Sequence, residues 1–334
     1  MKSNLDIYHP AIKFKILWLG DNKYIVRFFL VFTLLFLPGH SSIACDFCNC
    51  YLGLNPGYNK NTVGFRSSLR NTSFEIPSQN LRVSHLGEGH TAVDNGGLVE
   101  ETFLAFEVFA RLYPISKLQL IVNMPYNINT IDYNQQSETR SAFSDLTLMG
   151  MYQLANTLTL DSLKVRHRLF GGAGVKLPTG KYETPEDVTI PMADHLYSGT
   201  GSTDILFGVS YLGKYRNFGW NVDLNYKLNT KNSLDYQFGN TINLVPRVFY
   251  EYKLHSFILF PHLGVAYEKG AADEDDGIEQ TDTGGQMIFG TGGLDVYYKM
   301  VSLSSDVRLP VYENMVDGMP VDKSWFITSL NFHF

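Results

Sequence analysis

From residue 62 onward, apolar and polar residues alternate with a period of two in one segment after another. Successive side chains of a strand point to opposite faces, so this alternation predicts strands with one apolar and one polar face. In 220–228, Trp220, Val222, Leu224, Tyr226 and Leu228 share one face, while Asn221, Asp223, Asn225 and Lys227 share the other. In 238–252, Phe238, Ile242, Leu244, Val248, Tyr250 and Tyr252 stand against Asn243, Arg247 and Glu251. In 117–129, Leu118, Leu120, Val122, Met124, Tyr126 and Ile128 stand against Lys117, Gln119, Asn123 and Asn127. Strands of a soluble sandwich average about five or six residues. These run to about ten or more, the length a tilted strand needs to cross a bilayer. Charge confined to one face of such strands calls for a wet interior and an apolar exterior.

The pattern predicts strands at 62–71, 98–113, 117–133, 143–155, 163–178, 202–215, 218–230, 238–253, 257–270, 285–299, 301–313 and 323–334. Their connectors alternate in length. Short ones lie at Pro114-Ile115-Ser116, 156–162, Arg216-Asn217, 254–256 and Met300; longer ones lie at 72–97, 134–142, 179–201, 231–237, 271–284 and 314–322. An even strand count with short turns at one end and long loops at the other predicts an all-β, antiparallel, up-and-down transmembrane barrel of about twelve strands. The last strand ends on an aromatic, with Phe326, Leu330, Phe332 and Phe334 on one face, which resembles the C-terminal signal read by the barrel-assembly machinery. Tyr113, Tyr133, Tyr215, Trp220, Tyr252, Tyr312 and Trp325 fall near strand ends, as interfacial girdles do.

Composition narrows the picture further. The 334 residues are 44% hydrophobic and 14% aromatic, with 29 Gly and a mean hydropathy of −0.09. Charged residues make up 18%, against roughly 25% in an average soluble domain. Such a chain is not disordered, and a single short apolar run excludes a bundle of membrane helices. A net charge of −6 argues against nucleic acid as a partner.

That one run, Phe28 to Leu37, follows Lys13, Lys15, Lys23 and Arg27 and precedes Ser42-Ile43-Ala44. A basic region, a short apolar core and small residues before a cleavage point read as a secretory signal over 1–44. Its removal takes five Lys/Arg and two Asp/Glu, leaving a mature chain of net charge −9. Residues 45–61 then form a cysteine-rich periplasmic segment ahead of a barrel domain over 62–334. All three cysteines lie in Cys45-Asp46-Phe47-Cys48-Asn49-Cys50. Three readings stand open: lipidation of Cys45, a Cys45–Cys48 disulfide leaving Cys50 free, or a three-thiolate metal site suited to Cu(I) or Zn.

Several motifs resemble a known family. Ser144-Asp145-Leu146-Thr147-Leu148, Gly174-Val175-Lys176-Leu177-Pro178-Thr179-Gly180-Lys181-Tyr182 and Gly199-Thr200-Gly201-Ser202-Thr203-Asp204 occur in the order seen in outer-membrane barrels named for transport in phenol meta-degradation. Thr283-Gly284-Gly285 and Leu309-Pro310-Val311-Tyr312 add to the likeness, which covers roughly 140–334. The resemblance implies a barrel in the outer membrane of a Gram-negative bacterium; the family name rests on context and not on a substrate-binding motif. The leading cysteine run is similar to the Cys-Asp-Ile-Cys-Gly-Cys start of one subset of such barrels.

Alternation sends Arg66, Arg70, Glu107, Arg111, Asp145, Arg166, Arg168, Lys176, Asp223, Lys227, Arg247, Glu251, His262, Glu268, Asp295, Asp306 and Arg308 inward. Both signs are present, and buried charges must pair, so this set fits a salt-bridged, partly filled lumen as well as a selective path. No Gly-x-Ser-x-Gly, His-Glu-x-x-His, phosphate loop or dinucleotide fingerprint occurs, and His85, His90 and His195 fall in predicted loops. The run Asp273-Glu274-Asp275-Asp276, with Glu279 and Asp282, carries Ca²⁺-type ligands and also has the composition of a solvated loop. The sequence therefore points to a non-enzymatic outer-membrane channel or transporter for a small solute, linked to metal through its cysteines. Its expected partners are membrane lipid and lipopolysaccharide, the assembly machinery and a small-molecule or metal solute. A non-conducting barrel anchor or metal-sensing partner, and a hydrolase without a recognisable motif, are the alternatives.

Overall fold

A computed structural model of the protein describes residues 59–76, 81–82, 91–92, 97–133, 136–158, 160, 164–182, 197–281, 283–315 and 321–334. These form a closed antiparallel barrel of twelve strands: β1 (Thr62–Ile76), β2 (Gly97–Ile115), β3 (Leu118–Tyr133), β4 (Leu146–Asn156), β5 (Val165–Leu177), β6 (Asp204–Tyr215), β7 (Phe218–Leu228), β8 (Thr241–Tyr250), β9 (Phe257–Gly270), β10 (Gly285–Tyr298), β11 (Val301–Met315) and β12 (Val321–His333). Each strand pairs with its neighbours in the chain, and β1 pairs with β12 to close the ring, Arg66 standing opposite Ser329. Closure matters physically, because a bilayer offers no water to satisfy an open sheet edge.

The predicted faces correspond to the observed ones. Val248, Leu263, Leu330 and Phe332 are exposed on the outside, while Asn221, Asp223, Asn243 and Arg247 are buried within. Tyr215, Tyr252 and Tyr312 are exposed on the outer surface. Tyr133 and Trp325 are buried inside instead, and Tyr113 packs on Ile121, Met151 and Phe170, so these three are not girdle residues.

At one end the strands are joined by tight turns. Arg216, His255 and Lys299 open two-residue turns with φ of 53°, 53° and 54°, the left-handed backbone that two-residue hairpins require. At the other end the connections are long. Gln136–Phe143 extends the sheet there by pairing with β3, and Tyr236–Gln237, Asp273–Asp275 and Ile278–Gln280 form a small sheet of their own. Pairing of β8 with β9 runs from Thr241–Gly270 to Leu244–Tyr267 and resumes at Arg247–Gly264. The gap falls at Val245-Pro246, where proline has no N–H to donate.

The interior departs from the simple expectation of polar residues inward. Phe103, Ile131, Phe170, Phe249, Phe260, Phe289 and Trp325 are all buried there beside the charges. Twelve strands enclose a lumen narrower than that of the sixteen- to eighteen-stranded porins, and apolar residues line it beside the charges, so several strands carry apolar residues on both faces.

Candidate functional site in the barrel lumen

Period two aims alternate residues inward, and strand register decides which charges meet. Arg66 stands opposite Glu107 on the adjacent strand, and Nη1 donates to its Oε2 at 2.8 Å. Four residues along β1, on the same face, Arg70 clasps Asp322 on β12 with two bonds of 2.7 Å. Arg247 reaches Asp223 at 2.6 Å and Asn221 at 3.1 Å on β7. Arg308 donates to Glu268 at 3.1 Å, which also accepts from Asn243 at 2.8 Å. Each pair joins strands that are adjacent or once removed around the wall.

Trp325 ties two of these pairs together. It lies between Arg70 and Arg308 in register, with their guanidinium carbons 5.3 and 4.2 Å from its ring, and Phe289 meets it edge-on. A cation over an aromatic face is stabilised by the ring quadrupole, more so away from water.

The motifs that resemble the family converge at the long-loop end. Lys176, near the end of β5, lies 3.2 Å from Asp145 and 2.6 Å from Asp204, and it also bonds Thr200. Asp145 accepts from the backbone N–H groups of Gly180 at 2.9 Å and Thr200 at 3.0 Å. Ser202 donates to Asp204 at 2.9 Å, and Thr230 N–H joins at 3.0 Å. Gly180 and Gly199 permit this closeness, since a Cβ on Gly180 would stand 2.8 Å from the Gly199 Cα and 2.9 Å from the Asp145 carboxylate. Three separate stretches of sequence are thereby one buried ionic knot.

Deeper in the lumen, His262 lies between two carboxylates, 2.9 Å from Asp306 and 3.8 Å from Asp295. Gly293 intervenes in register, and a Cβ there would come 2.6 Å from the imidazole, so glycine opens the path across that strand. At the short-turn end an aromatic ladder links Phe249, Phe260, Tyr297 and His333 at centroid spacings of 5.9, 5.4 and 5.4 Å. Glu251, in the turn after β8, binds Lys214 and Lys253. Burial alone would raise its carboxyl, but the hydrogen bonds from Lys214 and Lys253 outweigh that and hold it below the ordinary carboxylate range.

Arg111 and Arg168 are also buried inside, whereas Arg166 and Lys227 are half-buried near opposite ends of the lumen. Glu101, Asp204 and Asp322 are buried partners beyond the inward set read from the sequence. In the acidic run, Asp273 is engaged by the Tyr236 hydroxyl at 2.5 Å and the Gly239 N–H at 2.6 Å. Glu274 faces Glu279 across the small sheet. Cys45, Cys48, Cys50, His85, His90 and His195 lie outside the described residues.

The model of the family described as "Putative MetA-pathway of phenol degradation" matches residues 81–296, about two thirds of the chain. No match emerges among curated proteins. Among solved structures, an outer membrane channel from Pseudomonas putida F1 is similar, with a TM-score of 0.58 and 14% identity, covering 86% of this chain and 99% of that one. The beta domain of the Bordetella autotransporter Brka follows, with a TM-score of 0.46 and 8% identity, covering 82% of this chain and 99% of that one. The closed barrel and its apolar outer surface belong in the outer membrane of a Gram-negative bacterium, in contact with lipid.

Proposed function

We propose, from the premise that the chain belongs to the "Putative MetA-pathway of phenol degradation" family, that it is an outer-membrane channel or transporter conducting a small solute through its lumen. One observation carries this reading. The interior charges compensate one another along the wall, between strands adjacent or once removed. The ions of these pairs are thus partnered without requiring bridges across the bore. Apolar rings stand between the ion pairs, so the lining suits a solute with an apolar body and few polar groups. Such transport is by passage and needs no catalytic group.

The test is single-channel recording in planar bilayers with protein whose folding is verified by its faster gel mobility before heating. Discrete conductance steps are expected. A folded protein that gives none, and that releases no small neutral solute from liposomes, is an anchor and not a channel.

A link to metal handling is the finer part of the proposal. It is supported by thiolate chemistry at Cys45, Cys48 and Cys50, since soft sulfur ligands select Cu(I) or Zn. Protein purified anaerobically should carry metal that a Cys48→Ser, Cys50→Ser double variant lacks. Equal metal in both, or acyl chains on Cys45, removes that link and leaves the channel intact.

A further inference from the structure

The chain leading into β1 is bonded to the β2–β3 turn and to side chains of the lumen wall. Asn59 donates through Nδ2 to the Ser116 carbonyl at 2.9 Å and to Gln153 Oε1 at 3.1 Å, and its Oδ1 accepts from Arg168 Nη1 at 3.4 Å. Ser116 is in the β2–β3 turn, Gln153 is on β4 and Arg168 on β5. Arg168 is buried in the lumen, and Gln153 shares its strand face with the buried Met151, so the Asn59 amide is on the lumen side of the wall. Two residues on, Asn61 Oδ1 accepts from the Tyr113 N–H at 2.8 Å, and its carbonyl accepts from the Phe334 N–H at 2.9 Å.

The distances involved show how far the contact spans. Strands lie about 4.8 Å apart, so β1 and β5 are separated by about 19 Å along the wall. The three-residue step from Asn59 to Thr62 spans at most about 11 Å. The remaining gap is closed by side chains, Arg168 reaching from the lumen face of β5 to the Asn59 amide, so the contact passes over the edge of the opening. Both ends of the crossing are fixed, Asn61 by β2 and the C-terminus, Asn59 by β4 and β5.

We infer that residues 59–61 are a strap across the short-turn mouth of the lumen, latched by Asn59, and that the strap limits the width of the mouth. This rests on the channel reading above. The latch uses a single amide in both of its roles: its N–H₂ group holds the turn and Gln153, and its oxygen holds Arg168. Alanine at Asn59 removes all three bonds without touching a strand, whereas alanine at Gln153 removes one of the three, together with the bond that Gln153 accepts from Asn156. Released, the strap swings off the opening while the barrel keeps its ladder.

Full-length wild type, Asn59→Ala, Gln153→Ala and the double variant are compared in planar bilayers after folding is checked by heat-modifiable mobility. Asn59→Ala should raise unitary conductance about twofold or more, since passage depends on the width of the lined pore. Gln153→Ala should give a smaller rise, absorbed in the double variant because the two residues share one bond. It also serves in place of Asn59→Ala should that variant not fold. Wild-type conductance in the folded variants overturns the strap. If wild type does not conduct at all, the channel reading falls and a second readout decides the strap. Lys60 is exposed within it, and cleavage by trypsin after Lys60 should be about tenfold faster in Asn59→Ala than in wild type, because proteolysis tracks the open population. Equal cleavage rates overturn the strap there too.

Discussion

Replacing Lys176 by methionine would leave Asp145 and Asp204 facing one another in a corner where each carboxylate is nearly or wholly buried. Removing one partner of a buried pair strands the other, at a cost of about 3–5 kcal/mol. We therefore expect Lys176→Met to lower the denaturant midpoint of barrel unfolding well below that of Arg140→Met, whose pair with Glu138 is more exposed. Equal midpoints would mean that the knot contributes little. Glu251 gives a pH signature of opposite origin. Its carboxyl is held below the usual range, so its pairing with Lys214 and Lys253 stabilises at neutral pH and is lost as pH falls through that depressed value. An Glu251→Gln variant should lose part of the acid sensitivity of unfolding. At this scale the sequence is informative through parity. Glu101 shares the strand face of Glu107, and Asp204 that of Ser210, whose hydroxyl donates to Asp223 in the lumen, so period two alone could have found both. Asp322 sits just ahead of the strand expected at 323, where no alternation marks its face. Trp325 misleads for a different reason: its amphipathic ring suits a membrane interface and a guanidinium stack equally well.

An arginine in place of Leu224 puts charge against lipid at mid-strand, and one in place of Val248 puts it against lipid nearer the short turns, whereas one in place of Asn225 puts it in the lumen. Each of the first two should cost about 2–4 kcal/mol if it lies near the bilayer midplane, and Asn225→Arg much less. Folding yields into liposomes would rank the three; the reverse order would shift the faces of β7 and β8 by one residue. Strand identity was readable because one face meets lipid along its whole length, which enforces a regular apolar stripe. Strand ends were less readable. β1 runs to Ile76 rather than ending near 71, because Asn71-Thr72-Ser73 are polar on both faces and carry no stripe. The strand at Gln136–Phe143 was hidden in the same way, since its pairing with β3 lies beyond the apolar band. The pairing gap at Val245-Pro246 was visible in principle, given that proline cannot complete a ladder.

On the scale of the whole molecule, the two ends of the barrel differ in kind, and that difference orients it. One end has turns of two residues at 216–217, 255–256 and 299–300; the other carries the knot, the small acidic sheet and the longer connections. Outer-membrane barrels place long loops outside and short turns in the periplasm, which also puts Asn59 and Phe334 on the periplasmic side. An epitope inserted at Asp276-Gly277 tests this without disturbing the lumen. Those residues form the tip of the acidic hairpin with φ of 50° and 80°, and nothing lies within 4 Å of a Cβ placed on Gly277. Antibody should reach that epitope on intact cells. The same epitope at Arg216-Asn217 should be reached only after the outer membrane is permeabilised, while both proteins fractionate with the outer membrane and run faster before heating. Labelling at 216–217 but not at 276–277 on intact cells would invert the barrel, and with it would move the strap from the periplasmic mouth to the cell surface.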